Sequence, residues 1–74
     1  MDMRKLVGEN VRKLRIAAAM TQEQFAVRSG FSQQYISDLE RGRRNPTVVT
    51  LYELAVALEA EPIELLLPHA EPKK

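Results

Sequence analysis

Residues 21–42, TQEQFAVRSGFSQQYISDLERG, decide how the rest of the chain is read. Two apolar-periodic stretches flank Gly30. Before it, Phe25 and Ala26 fall one turn beyond Thr21. After it, Phe31, Tyr35, Ile36 and Leu39 recur at helical spacing. Two helices that cross sharply over a turn of three or four residues, often containing Gly, form a helix-turn-helix. Thr21 is an N-cap for the first, because its hydroxyl accepts from a free backbone N–H at the helix start. Gln24, three residues on, completes a capping box, and Met20 with Phe25 supplies the hydrophobic staple. Gly30 tolerates the positive φ that the turn demands. Ser32 caps the second helix, which shows solvent Gln33, Gln34, Ser37, Asp38 and Arg41. That face is polar and amide-rich. It suits the major groove, where Gln pairs bidentately with adenine.

Working outward, residues 3–18 read as a first helix, with Val7, Val11, Leu14 and Ala18 along one face. Downstream, Gly42 is a natural C′ residue. Arg43, Arg44, Asn45 and Pro46 form a short basic loop. Pro46 and Thr47 start a fourth helix carrying Val48, Leu51, Leu54, Ala55 and Leu58, which ends near Ala60. Pro62 fits the first turn of a short fifth helix over 63–67, and Pro68 stops it. Residues 1–68 therefore read as one domain, and 69–74 as a frayed, flexible tail. The expected architecture is all-α, with five helices.

Composition narrows the chemistry. At 74 residues the chain is near the lower limit for an unaided hydrophobic core. It has no Cys, so neither a disulfide nor a thiolate metal site is possible. Its one His, His69, lies in the tail, so no metal site and no cofactor are expected. Nothing approaches the ~20 apolar residues of a membrane span, and the charged start MDMRK is followed by no signal-like apolar run. A soluble, cytoplasmic protein is expected. Ser29, Ser32 and Ser37 have no companion His in the folded part, and no Gly-rich phosphate loop is present, so an enzyme is not expected. Net charge is +1, but it is unevenly placed. Through Arg44 there are nine basic residues against five acidic, and from Asn45 onward two against five. A basic front half fits a polyanionic partner, although ordinary solvated surface charge would look similar.

The stretch over 7–66, with TQEQFA, then Gly30, then YISDLERGRRNP, then LYELAVAL in that order, resembles the lambda-repressor-like, Cro-type helix-turn-helix (XRE) family. Restriction–modification controller proteins are similar in length and in the ERGRRNPT segment. The resemblance implies a five-helix bundle that binds double-stranded operator DNA as a homodimer. By position it places Ser32, Gln33, Gln34, Ser37 and Asp38 toward base edges. Thr21, Gln22, Tyr35, Arg41, Arg43 and Arg44 fall toward phosphates. Arg15 and Glu40 match an ion pair that ties the first helix to the third. Two positions depart from the pattern: Ala19 and Glu59 stand where the family usually has Gly. Either the turns differ there, or a left-handed residue costs roughly 1 kcal/mol or more at each. Asp38 is also unusual, because phosphates repel a carboxylate, yet a carboxylate can accept from cytosine N4.

The apolar group Ile63, Leu65, Leu66 and Leu67 is too rich for a free surface. Ile63, Leu66 and Leu67, with Leu51 and Tyr52, are the expected dimer interface. Two half-sites one helical turn apart supply specificity that one small module lacks. The leading expectation is a sequence-specific transcriptional regulator of repressor or controller type. The alternative is a protein-binding module on the same fold, an antitoxin or anti-activator, whose partner would be a toxin, an activator or RNA polymerase.

Overall fold

The computed structural model describes residues 1–68; the expected tail, 69–74, lies outside them. Four α-helices follow one another: α1 (Met3–Ala17), α2 (Gln22–Ser29), α3 (Gln33–Glu40) and α4 (Val48–Leu58). A single 3₁₀ turn, Pro62–Leu65, comes after them, and no strand occurs among the described residues.

Each helix starts where a side chain supplies the missing acceptor. Asp2 accepts from the Arg4 N–H at 3.0 Å, Thr21 from Gln24, Ser32 from Tyr35 and Thr47 from Thr50. At α2 the capping box is complete, since the Thr21 N–H donates to Gln24 Oε1 at 2.8 Å. Such caps contribute about 1 kcal/mol each.

Helix ends are set by left-handed residues. After α3, Gly42 has φ of 79°, its N–H reaches Leu39 O, and the Arg43 N–H reaches Asp38 O. That is a Schellman turn. The same pair of bonds closes α1, from Ala19 and Met20 to Ile16 and Arg15, and α4, from Glu59 and Ala60 to Val56 and Ala55. Ala19 (φ 61°) and Glu59 (φ 56°) occupy the left-handed position there. The turns thus keep the geometry that favours Gly.

The helices close around Val7, Val11, Phe25, Ile36, Leu39, Leu54, Ala55, Leu58 and Leu65, all buried. Gly8 lets α1 cross the end of α3 closely. A Cβ on it would strike Leu39 O and come within 2.9 Å of Glu40 O.

The expected fifth α-helix is not formed, so the described fold has four α-helices and not five. Between Pro62 and Pro68 the chain is too short to offset the cost of starting an α-helix. The turn uses tighter bonds, Glu64 N–H to Glu61 O and Leu66 N–H to Ile63 O. The Asn10 side chain, 5% exposed on α1, donates to Leu65 O at 3.0 Å and to Leu67 O at 2.9 Å. One core amide therefore pins residues 65–67 against α1.

Candidate nucleic-acid interface

The site is built on a polar knot beneath the α2–α3 unit. Arg15 Nε donates to Glu40 Oε2 at 2.7 Å, and Arg15 Nη2 to Glu40 Oε1 at 3.1 Å. The third guanidinium nitrogen donates to Met20 O at 2.8 Å. Gln22 Nε2 adds a bond to Glu40 Oε1 at 3.0 Å. The two charged side chains are 10% and 3% exposed, so the pair is nearly dry. A fork-to-fork guanidinium–carboxylate pair is geometrically demanding. Here it sets α1, the start of α2 and the end of α3 against one another. Gln22, matched by family position to a phosphate contact, already spends one N–H on this knot and keeps its carbonyl oxygen and second N–H.

α2 and α3 are joined by residues 30–32. Gly30 has φ of 85°, and its N–H closes α2 on Ala26 O. The Ser29 hydroxyl accepts from the Phe31 N–H. Phe31 then stacks on Tyr35, ring centroids 4.9 Å apart and planes 20° from parallel.

On the outward face of α3, Ser32, Gln33 and Gln34 are exposed and Ser37 is half-buried. Gln33, Gln34 and Ser37 line one shallow concavity with Gln22. Asp38, also half-buried, is engaged on both sides. Its Oδ1 accepts from Gln34 Nε2 at 3.0 Å, and its Oδ2 lies 3.5 Å from Arg44 Nη2.

The flanks are basic. Arg41, Arg43 and Arg44 are all exposed just beyond α3, and the Arg44 guanidinium lies 5.0 Å over the Tyr35 ring. Partial burial raises the Tyr35 pKa above the usual phenol value, with Arg44 opposing the shift. The hydroxyl therefore keeps its proton at neutral pH and remains a donor. Thr21 is exposed at the cap of α2. Of the residues expected at a dimer interface, Leu51 is half-buried against the core, whereas Tyr52, Ile63, Leu66 and Leu67 are exposed.

A helix-turn-helix family model (HTH_3) matches residues 11–66 of this fold. The chain belongs to the XRE-type helix-turn-helix family. Among its helix-turn-helix relatives is the uncharacterised regulator y4dJ of Sinorhizobium fredii, 63% identical over 71 residues, or 96% of this chain and 92% of that protein. Among solved structures, the restriction–modification controller protein C.AhdI from Aeromonas hydrophila is 40% identical. It superposes with a TM-score of 0.80, over 84% of this chain and 94% of that one. The controller protein C.Esp1396I has been solved as a tetramer with its natural 35 base-pair operator. It is 31% identical, with a TM-score of 0.80 over 88% of this chain and 86% of that one. These relatives are regulators and not enzymes. No helix among the described residues is long and apolar enough to cross a membrane, and these residues hold no group of three or more His, Asp or Glu able to hold a metal ion.

Four features of this helix-turn-helix protein escaped sequence reasoning. Asn10 lies in phase with Val7, Val11 and Leu14, and a polar residue at a core position was its signal. Gly8 was visible as a glycine inside a helix, which costs about 1 kcal/mol unless packing requires it. Gln34 and Asp38 stand four apart, the spacing of facing side chains on a helix. Val49 and Val56, which extend the expected Tyr52 into an exposed apolar row on α4, were hidden because α4 is apolar nearly all round.

Proposed function

We propose that this chain is a sequence-specific DNA-binding transcriptional regulator of repressor or controller type. It reads the major groove with α3 and acts as a homodimer on a palindromic operator. The observation that carries this reading is the α3 face, where Gln33, Gln34 and Ser37 are grouped around one concavity with Gln22. Arginines continue directly beyond its end. Ser32, Gln33, Gln34 and Ser37 form the base-facing set, and Asp38, expected in it from the sequence, lies on the same face bonded to Gln34. Amides there offer adjacent donors and acceptors, which discriminate base pairs by their edges. Thr21, Gln22, Tyr35, Arg41, Arg43 and Arg44 form the phosphate-facing set, which fixes register and supplies most of the salt-sensitive affinity. The solved operator complex of the C.Esp1396I relative supports the DNA partner.

Dimerisation follows from the apolar surface. Val49, Tyr52, Val56, Ile63 and Leu67 are each at least half exposed, a grouping that one small soluble domain rarely leaves uncovered. A second copy would cover it and bring a second α3 to the next face of the duplex.

The test is equilibrium binding to a selected duplex over a range of salt. Three arginines per protomer contacting phosphates give a dimer a log–log slope of about −5. Gln33→Ala with Gln34→Ala brings specific affinity down to the non-specific level and leaves that slope in place. Unchanged affinity in the double variant would contradict the reading and favour a protein-binding role.

A further inference from the structure

We infer that Asp38 is a positioning residue, whose carboxylate fixes which way the Gln34 amide faces and thereby which base Gln34 accepts. This rests on the operator-reading function proposed above and names what sets its specificity. Gln34 and Asp38 are separated by one turn of α3, and Gln34 Nε2 donates to Asp38 Oδ1 at 3.0 Å. A carboxylate paired with a guanidinium has no hydrogen to offer. The oxygen end of the amide therefore cannot replace the nitrogen end against it, and of the two amide orientations only one is allowed.

The carboxylate is itself held. Oδ2 faces Arg44 Nη2 at 3.5 Å, and that guanidinium lies over Tyr35, which is stacked on Phe31 in the turn. On the backbone, Asp38 O accepts the Arg41 and Arg43 N–H groups at 3.1 and 2.9 Å, so the residue sits in a closed helix end. The Asp38 side chain is only 18% exposed, whereas Gln34 faces solvent.

The consequence is a fixed hydrogen-bond pattern on the exposed amide. Gln34 presents its Oε1 and one remaining N–H in a set order along α3. A bidentate partner such as the adenine N6–H and N7 pair is matched in that order only. An amide free to flip offers both orders and discriminates less. Arg44 further offsets the negative charge that Asp38 would otherwise bring toward the phosphates.

The experiment compares base preferences of the full chain, Gln34→Ala, Asp38→Asn and the double variant, each selected from a randomised duplex library. Asparagine keeps the size of Asp38 but offers a donor as well as an acceptor, so it releases the amide. Asp38→Ala carries the same expectation should the Asn variant fold poorly. The expected result is that Asp38→Asn loses preference at the same operator position as Gln34→Ala, by roughly fivefold or more. Other positions keep their preference, and the double variant loses nothing further there. Retained preference at that position in Asp38→Asn overturns the inference. So does loss at a different position that adds to the Gln34→Ala effect, because Asp38 would then read its own base. Failure of the unaltered chain to enrich any sequence overturns the operator reading itself, a result distinct from either.

Discussion

Ala19 and Glu59 hold the left-handed positions that close α1 and α4, and each bears a Cβ that this conformation disfavours by about 1–2 kcal/mol. Glycine removes that strain and returns part of the gain as unfolded-chain entropy, about 0.4–1 kcal/mol. Ala19→Gly is therefore expected to stabilise the protein by about 0.5–1 kcal/mol. Thermal unfolding should show this as a rise of about 2–8 °C. Glu59→Gly should gain less, because it also loses the exposed 2.9 Å pair with Arg28, an interaction of small worth. Asn10 is the opposite case. Replacing it with Leu leaves Leu65 O and Leu67 O without their side-chain donor, at about 1–3 kcal/mol for a buried group left unpaired. Denaturant unfolding measures that loss. The departures at Ala19 and Glu59 were legible from the family pattern, since a turn residue answers to local backbone geometry. The role of Asn10 was not, because its acceptors lie 55 and 57 residues away.

At the scale of elements, one buried pair holds three helices in register. Glu40 receives Arg15 and Gln22, so α1, α2 and α3 meet at a single carboxylate. Arg15→Ala leaves that carboxylate buried without its countercharge and is expected to destabilise by about 3–5 kcal/mol, read by denaturant unfolding. Glu40→Ala should fall in the same range, and the double variant should cost less than the sum of the two. Strict additivity would mean the pair is not coupled. The starts of α2, α3 and α4 were readable because Thr21, Ser32 and Thr47 signal through their own neighbours. The fifth helix was misread for the same reason in reverse. Its residues are apolar enough for a helix, but two prolines and a distant amide decide in favour of a 3₁₀ turn. Gly8 was unreadable as a contact, since only the crossing of α1 over α3 reveals the backbone oxygens beside it.

For the whole molecule, the amide face of α3 proposed to read bases and the apolar face are separate surfaces with separate tests. Tyr52→Glu places a charge in the exposed apolar row of α4 without touching the core. It is expected to leave helical content intact, shift sedimentation from dimer to monomer, and weaken operator binding by about a hundredfold or more through lost bivalency. The amide face of α3 was legible because helical periodicity alone places Gln33, Gln34 and Ser37 together. The tie from Asp38 to Arg44 was not, since it spans the turn after α3. The central claim is that two copies of α3 read one palindrome. The most direct measurement is a hydroxyl-radical footprint on the duplex that the chain enriches from a random library at near-physiological salt. Two symmetric protected half-sites about one helical turn apart, 10–10.5 base pairs, are the predicted result. A single unpaired half-site, or no enrichment above non-specific binding, would contradict it.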